Sequence, residues 1–140
     1  MGGDQVLIMT VGARRCALPV AHVIETMRPL PIEPVAAAPA FVLGVAVVRG
    51  APVPVVDLAA MQGLDGAEVG RFVTVDAGGR TVALAVSGVV GVRPLDGVAL
   101  HDPPPLLAEE NPAIEVLGTL DGALLAVLRA ARVIPAGARP

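Results

Sequence analysis

The sequence has almost no aromatic residues: Phe41 and Phe72 are present, whereas Trp and Tyr are absent. A core must therefore be built from aliphatic side chains, and the supply is ample because hydrophobic residues make up 54% of the 140 residues,. Basic residues are also few, 10 against 13 acidic ones, so the net charge is −3. Without a basic patch or stacking aromatics, we expect no nucleic acid among the partners.

Cysteine and long apolar runs are scarce too. Cys16 is the only cysteine, which excludes an internal disulfide and suits the cytoplasm,. The longest uncharged apolar stretch, residues 35–48, is interrupted by Pro39 and Gly44 and is too short to span a bilayer,. Asp4 lies where a signal peptide carries positive charge,. The sequence therefore predicts a cytoplasmic protein without a membrane-inserted segment.

The residues that could perform catalysis or bind metal have no recognised spacing. Cys16, His22 and His101 form no CxxC or HxxxH pattern, and the chain has no phosphate-binding glycine motif and no GxSxG,. We expect a buried, inert Cys16, a solvent-exposed His22, and His101 in a proline-rich loop over residues 101–112. The alternative is a small cysteine- or metal-dependent hydrolase that uses Cys16, His22 and Asp57. We favour a protein without enzymatic activity or cofactor.

Strand patterns dominate the chain, as short apolar runs separated by glycine turns,. Two valine-rich runs flank Arg49-Gly50 and predict a hairpin with its turn at that dipeptide. Pro52 and Pro54 cannot donate ladder hydrogen bonds. The second strand of this hairpin should therefore lie at a sheet edge or turn its nitrogens outward.

The best internal boundary is the segment 59–70. Residues 59–62 could form one helical turn, and Gly63, Gly66 and Gly70 then mark a flexible connector,. After this connector the pattern of apolar runs and glycine turns starts again.

The two halves of the sequence resemble each other at an offset of 66 residues. Such small residues also match by chance, but the ordered recurrence of run, turn and Arg-Pro-Leu favours duplication. It predicts two small β units, about residues 6–58 and 71–134, each a barrel of about five strands. Residues 123–133 could instead include a terminal helix, since their leucines approach helical spacing. The identical pairs are Gly12 and Gly78, Arg14 and Arg80, Ala17 and Ala83, Leu18 and Leu84, Val20 and Val86, and Val23 and Val89.

The sharpest motif in the chain is GVAVVRGAPVPVVDL, residues 44–58. It resembles the signature of CheW domains, in which a glycine precedes Asn-Leu-Arg-Gly and then Pro-Val-Ile-Asp-Leu. Residues 17–20, ALPV, and residues 23–25, VIE, resemble the Tyr-Ala-Leu-Pro and Val-x-Glu-Ile segments of the same family. The resemblance covers about residues 6–135 and is more specific in the first half.

This resemblance implies an all-β fold of two SH3-like five-stranded β-barrel subdomains packed together, so that residues 1–140 form a single CheW-like domain. It implies a non-enzymatic chemotaxis adaptor. The expected partners are the regulatory domain of a CheA-type histidine kinase and the cytoplasmic tip of a chemoreceptor. The expected location is the cytoplasm, at receptor arrays on the inner face of the membrane.

The family pattern also implies a receptor-binding groove beside Glu25 and Arg49. An arginine suits such a site because its planar fork binds a carboxylate while its stem packs on apolar neighbours. Val23, Ile24 and Met27 would supply an apolar strip for a receptor helix. We expect Val23 to be the exposed member, because alternate residues of a strand share a face and Val23 would share that of Glu25.

Three further residues of the motif have expected structural roles. Gly44, assigned to the groove, and Gly50, at the turn, would adopt positive φ or allow close approach of another chain segment. Asp57 would cap the turn that follows its strand.

Three departures from the family pattern leave the pathway open. Val47 replaces the asparagine of Asn-Leu-Arg-Gly, Ser87 replaces an acidic residue, and Arg129 lies near where an aspartate is common. An adaptor of a pilus-motility or other chemosensory-like system is the alternative that would tolerate them.

Overall fold

The computed structural model describes residues 5–64, 66–94, 99–101, 114–120 and 123–128. Within these residues the chain forms eleven strands, a short helix α1 (Leu58–Met61) and a 3-10 helical turn (Val20–His22). The strands are β1 (Gln5–Val11), β2 (Arg14–Pro19), β3 (Val23–Met27), β4 (Val42–Val48), β5 (Ala51–Asp57), β6 (Arg71–Asp76), β7 (Thr81–Val86), β8 (Gly88–Pro94), β9 (Ala99–His101), β10 (Ile114–Leu120) and β11 (Ala123–Leu128).

The strands form two sheets, which confirms the expected all-β fold with two SH3-like subdomains. One sheet has six strands in the order β8-β1-β2-β11-β10-β9, and the other has five in the order β3-β6-β7-β5-β4. The six-stranded sheet exceeds the predicted five because β9 pairs with β10. His101 therefore ends a strand rather than lying in a loop, and residues 102–112 of that predicted loop lie outside the described residues.

The two sheets do not correspond to the two predicted sequence copies. The first hairpin of each copy pairs with strands of the other copy. Strands β1 and β2 pair with β8 and β11, whereas β6 and β7 pair with β3 and β5. The predicted connector, residues 59–70, thus joins two strands of the same sheet. The chain passes between the sheets through the 3-10 turn Val20–His22 and through Ser87.

Ser87 anchors the second of these crossings. Its hydroxyl accepts a hydrogen bond from the backbone N of Gly12 at 2.9 Å, and its own N donates to the carbonyl of Thr10 at 2.8 Å. The crossing is therefore held against the β1–β2 hairpin.

Two clusters of buried side chains share strand β7. Val82, Leu84 and Val86 belong to a large core that also contains residues of both sheets, such as Leu18. The alternate residues of β7 face a smaller core inside the five-stranded sheet, around the fully buried Phe72. Because both faces of β7 are buried, its sequence is a continuous apolar run rather than an alternating one.

The two prolines of β5 lie where that strand has one neighbour among the described strands. The parallel ladder between β5 and β7 begins at Val55, whereas Pro52 and Pro54 pair with β4 alone. In the β4–β5 ladder Val48 and Ala51 flank the turn, so Pro52 and Pro54 fall at the alternate, non-hydrogen-bonded positions,. Their missing N–H groups therefore leave both ladders of β5 intact.

The predicted helical turn in the connector is present, but the helix predicted near the carboxyl terminus is not formed where the structure describes the chain. Residues 123–128 are strand β11, which pairs with β10 and β2, and residues 129–133 lie outside the described residues, as does the departure at Arg129. Asp57 caps α1, because its Oδ1 accepts hydrogen bonds from the backbone N of Ala59 and of Ala60.

Among the described residues, no helix has the length and apolar character that crossing a bilayer requires.

Candidate functional site

The β4–β5 hairpin turns at Arg49 and Gly50, with φ of 53° and 81°. Positive φ at both central residues is the requirement of a type I′ turn, the tight turn that matches the twist of a hairpin. Asn, Asp and Gly normally fill these positions, since other residues pay roughly 1–2 kcal/mol in the left-handed region. The conformational preference of the turn therefore does not explain why position 49 is an arginine.

Arg49 forms a side-on pair with Glu25 of β3. Its Nε donates to Oε2 at 3.0 Å and its Nη2 donates to Oε1 at 2.7 Å. The side chain of Arg49 is 78% exposed, and that of Glu25 is 27% exposed. This hydrogen bonding lowers the pKa of Glu25 below its usual value and raises the pKa of Arg49.

The pair links the two ends of the five-stranded sheet. Strand β3 is one edge of that sheet, and β4, which leads into the Arg49 turn, is the other. Strands β3 and β4 are not neighbours in the described ladders. The Arg49–Glu25 pair therefore bridges these two edge strands and brings the sheet closer to a closed barrel at this end.

A groove of about 670 Å³ lies beside this pair. The parallel ladder between β5 and β7 begins at Val55 and Ala83. The groove is lined by the residues of both strands that precede this point, so it lies between their unpaired ends. Val53 and Val82 are buried at its base, and Glu25 and Arg49 line it together with the exposed Ile24. The groove is lined mainly by apolar residues, and its charged residues are the Glu25–Arg49 pair and Arg80.

The structure brings Glu25 and Arg49 together but places Ile24, not Val23, in the groove lining. Val23 is half-buried against the large core, whereas Ile24 is 52% exposed. Val23 shares the half-buried face of β3 with Glu25 and Met27, and Ile24 shares the exposed face with Thr26. A β-bulge lies at the same place, since Val23 pairs with Val75 and Glu25 with Thr74, which leaves Ile24 as an extra residue,. Nothing in the sequence of β3 signals this bulge, because it depends on the partner strand. Met27 packs against the smaller core.

Gly44 lies outside the groove lining, in close contact with the backbone of Glu33. Its φ is 146°, and a Cβ at this position would lie 2.1 Å from the Glu33 carbonyl oxygen. Glu33 and Val45 exchange two backbone hydrogen bonds of 2.8 Å across this contact. Gly44 therefore allows the segment before β4 to pair with the outer edge of that strand.

The residues of the hydrolase alternative are not joined into a catalytic group. Cys16 is fully buried, burial raises the pKa of its thiol, and Nε2 of Gln62 donates to its Sγ at 3.1 Å. His22 is exposed, and Asp57 is engaged in capping α1. Within the described part of the chain, no hydrogen bond joins any two of these three residues, and no group of His, Cys, Asp and Glu could hold a metal ion.

Comparison with known proteins gives a consistent result. The family model for the CheW-like domain matches residues 5–137. Among solved structures, the chain is similar to the scaffolding protein TtCheW from Thermoanaerobacter tengcongensis, with a TM-score of 0.77 and 21% identity over 90% of this chain and 88% of that one. At this identity the likeness shows the fold alone. No curated protein sequence matches. Because the family model spans nearly the whole chain, this protein belongs to the CheW-like domain family.

Proposed function

We propose that this chain is a non-enzymatic adaptor that couples the cytoplasmic tip of a chemoreceptor to the regulatory domain of a CheA-type histidine kinase. The adaptor unit is one CheW-like domain, supported by the match over residues 5–137. It would work in the cytoplasm at the inner face of the membrane, where receptor tips gather. By holding kinase and receptor in fixed relative geometry, it would let receptor conformation bias kinase activity.

The observation that carries this proposal is the position of Arg49. This arginine occupies a strained left-handed turn position, next to an apolar groove, and Glu25 holds it there with two hydrogen bonds. Backbone strain of this kind clusters at functional sites, which supports a binding role for Arg49. Because Glu25 binds Nε and Nη2, and no described residue binds Nη1, the outer N–H groups of Arg49 remain available to a partner.

The groove favours a helix over an added strand as the bound element of the receptor. Addition of a strand needs backbone donors along the accepting edge, and Pro52 and Pro54 remove two of them from β5 beside the groove,. A helix instead uses side chains, for which Ile24 and Val53 supply apolar contacts. In this proposal Val23 supports Ile24 from the core side, and Gly44 fixes the edge of β4.

The test is binding of the purified protein to a chemoreceptor signalling-tip fragment and to a CheA regulatory domain, measured separately by calorimetry. We expect both to bind, and we expect Arg49→Glu to lose receptor binding while it keeps kinase binding. The matched control is Arg28→Glu, which reverses an exposed charge outside the groove lining. Equal receptor affinity of Arg49→Glu and the wild type would refute the assignment of the groove.

An adaptor of a pilus-motility or other chemosensory-like system is the second candidate, and Val47 favours it. Val47 replaces the asparagine of the family motif and is 68% exposed, opposite Pro52 on the neighbouring strand. An exposed apolar pair next to the groove would select a less polar receptor surface. Stronger binding to receptor tips of a pilus system than of a flagellar system, lost in Val47→Asn, would support this candidate.

A further inference from the structure

Thr74 is a buried polar residue of β6 directly beneath Glu25. It is 1% exposed, in a strand whose other buried residues are apolar. Its Oγ1 accepts a hydrogen bond from the backbone N of Glu25 at 3.2 Å and donates one to the backbone carbonyl of Glu25 at 3.3 Å. Both hydrogen bonds of this hydroxyl therefore go to the backbone of a single groove residue.

These hydrogen bonds fall at the β-bulge of β3. In β3 the half-buried Val23, Glu25 and Met27 alternate with the exposed Ile24 and Thr26,. Glu25 is the half-buried residue at the register shift, and it lines the groove,. Whatever holds the backbone of Glu25 at this shift therefore sets where its carboxylate lies in the groove wall.

A valine in place of Thr74 would fill nearly the same volume and suit a strand equally well, but it would leave the N–H and C=O of Glu25 without the hydroxyl. A regular ladder without the bulge would then compete. The hydroxyl, rather than the bulk of the side chain, is thus the group that favours the bulged arrangement.

We propose that Thr74 is a positioning residue of the groove: its hydroxyl fixes the bulge in β3 and thereby sets the Glu25 carboxylate against Arg49. The effect of Thr74 on partner binding rests on the proposed function of the groove. Its effect on Glu25 does not, because that contact lies within the free protein.

The experiment compares Thr74→Val, Thr74→Ser and the control Thr26→Val, which makes the same change on an exposed face of β3. The first readout is the titration of the Glu25 carboxyl carbon by NMR in the free protein. We expect Thr74→Val to move the pKa of Glu25 up towards the usual 4.5, and the other two variants to titrate like the wild type. If Thr74→Val does not fold, Thr74→Ala replaces it as the variant without a hydroxyl.

The second readout is calorimetric affinity for a chemoreceptor signalling-tip fragment. We expect Thr74→Val to bind roughly five- to tenfold more weakly, which is the effect of about one lost hydrogen bond, and Thr74→Ser to restore binding. An unchanged Glu25 titration in folded Thr74→Val would overturn the positioning role. A shifted titration with unchanged receptor affinity would uphold that role and overturn the proposed function of the groove.

Discussion

Glu25 and Arg49, which are 24 residues apart in the sequence, join the two edge strands of the five-stranded sheet through two hydrogen bonds of 2.7 and 3.0 Å. Exposed ion pairs of this kind contribute little to stability. The consequence of the pair is instead a fixed orientation of one guanidinium beside the groove.

The first prediction separates binding from folding at Arg49. Arg49→Asn puts a residue that tolerates the left-handed region at φ 53°, so we expect the free energy of unfolding to be unchanged or to rise by up to about 1 kcal/mol,. Affinity for a receptor-tip fragment should fall. Urea denaturation and calorimetry measure the two quantities, with Arg28→Asn as the control. A marked loss of stability would show that Arg49 serves the fold.

The second prediction concerns pH. Arg49 depresses the pKa of Glu25 in the folded state, so the stabilisation by the pair is complete above the usual value of 4.5 and is lost as the pH falls through the depressed value,. The difference in free energy of unfolding between the wild type and Glu25→Gln should therefore shrink below pH 4.5. Denaturation at a series of pH values measures it, and a constant difference would contradict the pairing.

The third prediction contrasts two glycines of the same hairpin. Gly44→Ala would force a Cβ against the carbonyl of Glu33, so we expect a loss of about 2–4 kcal/mol of stability,. Gly50→Ala meets no atom within 4 Å and should cost only the backbone strain of about 1 kcal/mol,. Chemical denaturation of both variants checks the order, and an equal cost would contradict the close approach at Gly44.

The fourth prediction concerns Cys16. Because the thiol is buried and burial raises its pKa, a thiol reagent should react with the native protein only as fast as the chain opens,. Labelling in urea should be rapid and complete. Fast labelling of the native protein would contradict the burial and revive the hydrolase alternative.

The features that the sequence predicts well are those with local causes. The hairpin turn at Arg49 follows from a dipeptide between two strand-like runs, and the cap at Asp57 follows from a carboxylate before a helical turn. The sequence of residues 123–128 is ambiguous because a short apolar run suits a helix or a strand, and pairing with β2 and β10 decides for the strand,.

The features that escape the sequence depend on partners distant along the chain. The half-burial of Val23 depends on the large core that it packs against, and nothing in the sequence of β6 distinguishes Thr74 as the residue whose hydroxyl binds the backbone of Glu25. The sequence also does not predict the exchange of hairpins between the two copies, because the same strands could equally pair within each half.

That exchange has a consequence for unfolding. Each sheet contains strands from both halves of the sequence, and the large core contains residues of both sheets. Loss of structure in either half would therefore remove strands from both sheets at once. The two halves should unfold together, although each carries its own copy of the repeat.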